Sequence, residues 1–239
     1  SDLDGTLVGR PDALAAFATF WAGLDPSTRP LLVYNSGRQI EDIAALIPEV
    51  GLPQPDVMIG GVGSELTNAA NGDHGHHYAR SLGPVLERDR ISAVLADFPR
   101  IKPQLDIYQH DYKSSWQLND ATTDEIEDLE RRFATAGLDV GLIYSSGRDL
   151  DILPSGTDKG SALRWLAAEM GVELSEVVVA GDTGNDVRMF ELPEIRGVIV
   201  GNALPELRAL GENRPRLYQA RATVAEGVLE GLRHFGLGM

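Results

Sequence analysis

The stretch Asp2-Leu3-Asp4-Gly5-Thr6 decides the fold, because it places two carboxylates one residue apart in front of a glycine. Like charges this close repel each other unless a cation lies between them or one carboxyl group keeps a proton. An apolar strand normally leads into such an acidic turn, and only Ser1 precedes it here. We therefore expect the numbering to begin inside the first strand, and the acidic pair to mark its functional end.

Composition excludes several classes of function. The 239 residues suffice for one large domain or a core with a smaller domain, and 43% hydrophobic with 24% charged residues indicates a globular chain. A net charge of −15 argues against partners such as nucleic acid or an anionic membrane. No apolar run reaches the ~18 residues of a membrane span. Cysteine is absent, which excludes a thiol nucleophile and fits a cytoplasmic location.

Short apolar runs, each closed by glycine or polar residues, predict buried strands of a parallel sheet. These runs are Leu31–Tyr34, Val57–Ile59, Val177–Ala180 and Val198–Val200. Helical patterns occur at Pro11–Trp21, Ile40–Ile47, Gly160–Met170 and Val224–Phe235. The alternation of strands and helices predicts an α/β fold with a doubly wound, mostly parallel sheet.

The middle of the chain has a different pattern, which we interpret as a smaller α+β unit inserted into the core. It predicts helices at Val85–Leu95 and Thr123–Ala136, an extended stretch at Lys102–Leu118, and strands at Val140–Tyr144 and Leu150–Leu153. The predicted division is a core of residues 1–80 and 155–239 and a cap of residues 81–154. We place Asp73-His74-Gly75-His76-His77 in a glycine- and asparagine-rich loop whose spacing does not favour a zinc site.

Polar side chains that follow the predicted strands should converge, because ligands bind beyond the carboxyl ends of parallel strands. The converging residues are Asp2, Asp4, Ser36 and the stretch Gly181-Asp182-Thr183-Gly184-Asn185-Asp186, with Lys159 at the start of a helix. Oxygen ligands that leave room for water suit Mg²⁺, and this cation would relieve the repulsion between the first two aspartates.

The chemistry of this set suggests a role for each member. Asp2 is the candidate nucleophile toward phosphorus, and Asp4 the candidate general acid and base. Ser36, Gly37 and Lys159 are the candidate phosphate ligands.

The candidate Mg²⁺ ligands are Asp2, Asp182 and the backbone carbonyl of Asp4. Asp186 is either a further ligand or, as we favour, a residue that orients Lys159. Asn185 either caps a turn or holds the metal or Lys159.

These residues resemble the four motifs of the haloacid dehalogenase (HAD) superfamily in order and context. The resemblance implies a Rossmann-like core and a magnesium-dependent phosphotransfer enzyme that forms an aspartyl-phosphate. A carboxylate at Asp4 argues against a dehalogenase. More than a hundred residues separate Ser36 from Lys159, which is where sugar-phosphate phosphatases of the superfamily carry a cap of the C2 type.

The resemblance narrows to the sucrose-phosphate phosphatase family through further stretches. They are Tyr34-Asn35-Ser36-Gly37-Arg38, Val62-Gly63-Ser64-Glu65-Leu66, Lys113-Ser114-Ser115 and Asp149-Leu150-Asp151-Ile152-Leu153-Pro154. This implies that the chain hydrolyses a small-molecule sugar phosphate, sucrose 6-phosphate first, with Glu65, Gln104 and Lys113 as candidate sugar contacts. Ser64 departs from the threonine usual in the family, which leaves the sugar open.

Two kinds of alternative stay open. The nearest are phosphatases of the same mechanism for mannosylfructose phosphate, trehalose 6-phosphate or mannosyl-3-phosphoglycerate. The more distant alternative is a non-catalytic module that accepts phosphate or binds sugar, since receiver domains also cluster acids, a hydroxyl group and a lysine. A sugar-phosphate synthase as partner stays open at this point.

Overall fold

The computed structural model describes residues 1–68, 73–212 and 214–238. The helices in these ranges are α1 (Pro11–Ala22), α2 (Ile40–Val50), α3 (Asp73–Ser81), α4 (Arg88–Leu95), α5 (Thr123–Thr135), α6 (Lys159–Met170), α7 (Val187–Phe190), α8 (Pro205–Leu210) and α9 (Val224–His234). The strands are β1 (Val33–Asn35), β2 (Val57–Gly60), β3 (Glu65–Asn68), β4 (Lys102–Pro103), β5 (Ser114–Gln117), β6 (Val140–Ser145), β7 (Asp149–Pro154), β8 (Val178–Gly181), β9 (Arg196–Ile199) and β10 (Leu217–Gln219). None of the described helices is long and apolar enough to cross a bilayer.

The core contains two three-stranded sheets that meet at the first two residues. One has the order β1-β2-β3 and the other β10-β9-β8, and the pairs β1–β2, β8–β9 and β9–β10 are parallel. The backbone amide of Asn35 donates to the carbonyl of Ser1 at 2.8 Å, and that of Asp2 donates to Ala180 at 2.9 Å. The predicted mostly parallel sheet is therefore confirmed, with β3 as an antiparallel addition.

A cavity of about 510 Å³ lies between the edges of β1 and β8, next to Ser1. Its walls are apolar and include Phe17, Leu32, Val179 and Val198. The nitrogen of Ser1 lies 2.7 Å from the carbonyl oxygen of Val33. Beside the cavity, the two sheets are joined through the backbone of Ser1 and Asp2.

Helices cover both faces of the core, as a doubly wound sheet requires. Successive residues of a strand point to opposite faces, and β2 shows this clearly. Met58 packs against the large cluster that contains Phe17 of α1 and Val228 of α9. Val57 and Ile59 pack against a second cluster that includes Tyr78 of α3 and Leu166 of α6.

The expectation of a loop at the histidine run was wrong, because this run forms the beginning of α3. Gly75 permits the helix to lie directly on β3, since a Cβ there would be 2.5 Å from the carbonyl oxygen of Leu66. His74 and His77 each place Nδ1 within 3.7 Å of Glu169 Oε1. Residues 69–72 of the expected loop lie outside the described residues. A tertiary contact therefore sets the local structure here.

The inserted unit is a four-stranded antiparallel sheet, in the order β4-β5-β7-β6, with helices α4 and α5. A cluster of its own fills it, including Ile91, Leu129, Phe133 and Leu150. The predicted extended stretch is two short strands, β4 and β5, separated by a 3-10 turn at Asp106–Tyr108. We propose that this separate cluster is the core of a cap domain with the predicted bounds 81–154.

Leu129→Ala should test whether the cluster stabilises the inserted unit. Leu129 is fully buried, so the substitution should lower the free energy of unfolding by about 2–5 kcal/mol. Chemical denaturation followed by circular dichroism measures this loss. The adjacent exposed Glu130→Ala is the control and should change stability by less than ~0.5 kcal/mol. Equal effects of the two substitutions would contradict a packed cluster.

Candidate active site

A fully buried lysine lies at the centre of the site. Lys159 is the first residue of α6, and its position is fixed by Asp158, whose carboxylate accepts from the amide of Ser161 at 2.7 Å. Its Nζ donates to Asp2 Oδ1 and to Asp186 Oδ1, both at 2.7 Å. An unpaired buried ammonium would be very unfavourable, so these two carboxylates are what permit a lysine here.

Asp182 adds a third carboxylate to the cluster. Its Oδ1 accepts from the hydroxyl of Thr6 at 2.9 Å. Carboxylate oxygens of Asp2, Asp182 and Asp186 all lie within 4.8 Å of one another. The second oxygen of Asp186 accepts from the amides of Asp182 and Thr183, at 2.9 and 3.1 Å, so both its oxygens are engaged within the protein.

Three carboxylates share one ammonium group in this cluster, which therefore has an excess of negative charge. Burial raises the pKa of Asp2 to about 6, against the opposing effect of Lys159. Burial and the neighbouring aspartates raise the pKa of Asp182 to about 7. Burial alone would lower the pKa of Lys159, but Asp186 and Asp2 outweigh it and raise that pKa.

The donor set fits a hard divalent cation, because it supplies oxygen ligands and an unneutralised negative charge. The side chains of the predicted ligands Asp2 and Asp182 belong to the cluster, and the ligand predicted from Asp4 is its backbone carbonyl. Gly5 makes the close approach possible. It has a φ of +82°, and a Cβ there would be 2.2 Å from Asp182 Oδ2.

The predicted phosphate loop follows β1. Ser36 is buried, its amide donates to Ile59 at 2.9 Å, and its carbonyl accepts from Val62 at 3.1 Å. Asn35 Nδ2 donates to the carbonyl of Lys159 at 2.9 Å. The loop is therefore attached directly to the residue at the centre of the carboxylate cluster.

Asp4 makes a contact that the sequence analysis did not foresee. Its Oδ2 and Oδ1 accept from Nε and Nη2 of Arg38, at 2.6 and 2.8 Å. The hydrogen bond and charge of Asp4 raise the pKa of Arg38. The signal was present in the stretch Ser36-Gly37-Arg38, in which only the first two residues had a predicted role.

Lys113 brings the inserted unit to the phosphate loop. Its buried Nζ donates to the carbonyl of Gly37 at 3.1 Å and lies 3.4 Å from Asp151 Oδ1. The same oxygen of Asp151 accepts from the hydroxyl of Ser115 at 2.7 Å. Sequence reasoning missed Asp151 as the partner of Lys113, because that pairing depends on the register of β5 and β7.

The other predicted residues have partners in their own surroundings. Gln104 Nε2 donates to the carbonyl of Trp116 at 3.2 Å and to Asp149 Oδ1 at 3.1 Å. Glu65 Oε2 accepts from the amide of Ile40 at 3.3 Å, and burial raises the pKa of Glu65. Asn185 Oδ1 accepts from the hydroxyl of Thr183 at 3.0 Å, so its contact is with the loop that carries Asp182. Their predicted roles stay predictions.

A second contact between the inserted unit and the core joins His110 to Ser64, at 3.0 Å between Nε2 and Oγ. Burial lowers the pKa of His110 to about 4, so the ring is neutral at physiological pH. The hydroxyl of Ser64 donates to the carbonyl of Gly61 at 2.7 Å, and His110 Nδ1 accepts from the amide of Tyr112 at 3.2 Å. Nε2 must therefore carry the ring proton and donate to Ser64.

We expect Mg²⁺ to stabilise the protein, and more at high pH than at low pH. The pKa values of Asp2 and Asp182 rise on folding from 3.8 to about 6 and 7. Between about pH 4 and 7 the unfolded chain therefore loses protons that the folded one keeps, and stability falls as pH rises. A bound cation removes that loss of stability. Tm should therefore rise by at least ~3 °C at pH 8, which is the shift that a stabilisation of about 1 kcal/mol produces in a protein of this size.

Thermal unfolding with Mg²⁺ or with EDTA, at pH 5 and pH 8, measures the effect. The difference between the two conditions is the readout, because it cancels the pH dependence of groups that do not respond to Mg²⁺. Asp182→Asn should abolish the difference. An equal rise in Tm at both pH values would contradict this account of the charge.

Gly5→Ala should lose the response to Mg²⁺, because its Cβ would displace the Asp182 carboxylate. The control is Gly83→Ala, which has the same φ of +82° and no heavy atom within 4 Å of the new Cβ. Both should be destabilised by about 1–2 kcal/mol from the unfavourable φ. Thermal unfolding with and without Mg²⁺ separates them, and a full Mg²⁺ response in Gly5→Ala would contradict the close approach.

Comparison with known proteins agrees with this geometry. A model of the sucrose-6F-phosphate phosphohydrolase family matches residues 1–236. The mannosylfructose-phosphate phosphatase of Agrobacterium fabrum (strain C58 / ATCC 33970) is 48% identical over 237 residues, 99% of this chain and 96% of that protein. Sucrose-phosphatase 2 of Nicotiana tabacum is 34% identical, and the aligned region covers 100% of this chain and 59% of that longer relative.

Solved structures give the same result. A sucrose-phosphatase from Synechocystis sp. PCC6803, in complex with sucrose and phosphate, matches with a TM-score of 0.88 and 35% identity, over 98% of this chain and 95% of that one. A sugar phosphatase of HAD subclass IIB shares the fold, with a TM-score of 0.68 and 15% identity over 98% of this chain and 97% of that one. The chain therefore belongs to the sucrose-6F-phosphate phosphohydrolase family, shares the fold of the HAD subclass IIB phosphatase and is a phosphoric monoester hydrolase.

Proposed function

We propose that this phosphatase hydrolyses the phosphate ester of a fructose-containing disaccharide through a phosphoryl group carried on Asp2. One observation carries the proposal: Lys159 donates to Asp2 at 2.7 Å while its carbonyl accepts from Asn35, next to Ser36. This arrangement supports a carboxylate nucleophile, a cation for the phosphoryl oxygens and a phosphate loop that act together.

In the first step, an oxygen of Asp2 attacks phosphorus. With a pKa of about 6, this carboxylate is ionised at neutral pH. The new oxygen–phosphorus bond forms as the bond from phosphorus to the sugar oxygen breaks, and Asp4 gives its proton to that leaving oxygen. Lys159 and the Ser36–Gly37 loop hold the other phosphoryl oxygens in place, where negative charge concentrates.

In the second step, water hydrolyses the aspartyl-phosphate. Asp4, now ionised, takes a proton from the water as its oxygen bonds to phosphorus. The bond between phosphorus and Asp2 breaks, which restores the carboxylate and releases phosphate. Asp4 ends the cycle protonated, as it began, so one pair of aspartates serves both steps.

Asp2, Asp182 and the backbone carbonyl of Asp4 would hold Mg²⁺. When bound, the ion neutralises phosphate charge beside the carboxylates. Asp186 already uses both oxygens, on Lys159 and on two backbone amides, which supports an orienting role. Asn185 would act on the same loop through Thr183.

The sugar is recognised, in this proposal, by Lys113, Glu65 and Gln104, in an enzyme that acts in the cytoplasm. The relative at 48% identity is named for mannosylfructose phosphate, and those at about 35% for sucrose phosphate. Both sugars contain fructose, and their other hexose, mannose or glucose, differs only in the configuration at C2. We therefore expect mannosylfructose phosphate to be the preferred substrate and sucrose 6-phosphate the second.

Phosphate release with Mg²⁺ should be measured on these two substrates, trehalose 6-phosphate, mannosyl-3-phosphoglycerate and simple hexose phosphates. We expect kcat/KM to be at least ~10-fold higher for mannosylfructose phosphate than for sucrose 6-phosphate. This ratio corresponds to a difference of about 1.4 kcal/mol in transition-state binding, for two sugars that differ in the configuration of one hydroxyl group. The hexose phosphates should be poorer still, because they lack the second ring.

Two controls accompany the panel. EDTA should abolish turnover, and Asp2→Asn should lower kcat by at least ~10³-fold while circular dichroism shows an intact fold. Retained activity in Asp2→Asn would overturn the nucleophile. A preference for sucrose 6-phosphate would keep the mechanism and reverse the choice of sugar, and binding without turnover of any substrate would favour the non-catalytic module.

A further inference from the structure

The ion pair between Arg38 and Asp4 stands apart from the buried cluster. Its side chains are 37% and 52% exposed, whereas Lys159 is fully buried. Ion pairs as exposed as this one contribute little to stability, a median of about 0–1 kcal/mol. The pair is nevertheless bidentate, with both oxygens of Asp4 engaged at 2.6 and 2.8 Å. The geometry of the pair therefore says more about its role than its contribution to stability does.

The backbone of Arg38 is fixed at both ends. Its amide donates to Ser36 Oγ at 3.2 Å, and its carbonyl accepts from the amide of Gly61 at 2.8 Å. A Cβ on Gly60 would be 2.9 Å from that carbonyl, so β2 lies tightly against it. Arg38 therefore reaches toward Asp4 from a rigid support that is the phosphate loop itself.

A guanidinium fork constrains its partner more than an ammonium group does. Two parallel hydrogen bonds fix the plane of the carboxylate as well as its distance, and lysine can fix only the distance. Among the described residues, Arg38 donates the hydrogen bonds that the Asp4 carboxylate accepts. The orientation of the Asp4 carboxylate thus depends on Arg38.

We propose that Arg38 is a positioning residue for the reaction, which fixes the orientation of the ionised Asp4 carboxylate relative to the phosphate loop. This rests on the proposed function, in which Asp4 is ionised in the second step and takes a proton from water. The two residues couple the loop that holds the phosphoryl group to the group that activates water for its hydrolysis. Arg38 touches neither reacting atom in this role and acts through Asp4.

The test compares kcat and KM of the wild type, Arg38→Lys and Arg38→Met on the best sugar phosphate of the panel. Misplacing an acid–base group costs up to about 10²-fold, so kcat of Arg38→Met should fall by ~10- to 100-fold with KM within ~3-fold. Arg38→Lys should be intermediate, since it keeps the charge without the fork. In Arg38→Ala, added guanidinium chloride should raise kcat relative to sodium chloride at the same concentration.

Arg131→Met is the matched control, because Arg131 is 65% exposed and pairs with Asp128 at 3.2 Å in α5. It should leave kcat and KM unchanged. Thermal unfolding confirms that each variant is folded. If Arg38→Met does not fold, Arg38→Lys is the variant that tests the proposal.

Two results would overturn the inference. An unchanged kcat in Arg38→Met would show that Asp4 needs no such support, and a rise in KM alone would make Arg38 a substrate ligand instead. A wild type that hydrolyses no sugar phosphate of the panel would instead refute the proposed function, so the two failures are distinguishable.

Discussion

The buried ammonium group of Lys159 is the constraint on which the rest of the structure depends. It is inaccessible to water and must be neutralised within the protein, at 2.7 Å from Asp2 and from Asp186. Three distant segments therefore have to meet at one point: the first residues, the start of α6 and the loop after β8. Removing one carboxylate would leave the charge only half compensated, which costs several kcal/mol. These three segments are thus held together by electrostatics as well as by the sheet.

The same cluster carries an excess of negative charge, and this charge suits it to hold a cation. Asp182 adds a charge that Lys159 cannot compensate. Burial is the main cause of the raised pKa values of Asp2 and Asp182, and neighbouring aspartates add to it. In the proposed function, recognition of an anionic substrate is local, because a net charge of −15 provides no attraction at long range. Lys159, Lys113 and Arg38 are cations that lie against Asp2, Gly37 and Asp4.

The sequence predicted those parts of the molecule that depend on local pattern. The parallel strands and the polar residues at their ends follow from apolar runs and from residues adjacent in the chain, whereas the roles around Asp2 stay predictions. The histidine run was misassigned because α3 is held by tertiary contacts, a close approach of Gly75 to Leu66 and a hydrogen bond from Tyr78 to Gly63. The partner of Asp4 lies 34 residues away, and no periodicity reveals such a pair.

In the proposed function, contacts between the inserted unit and the core couple sugar recognition to the phosphate loop. Lys113 donates to Gly37, so a sugar that contacts Lys113 would act on that loop through one hydrogen bond. The neighbouring contact, from His110 to Ser64 and on to Gly61, consists of neutral groups, because burial lowers the pKa of His110 to about 4. The ammonium group of Lys113 also disfavours a positive charge on that ring, so the second contact joins the two parts without adding a charge beside the first.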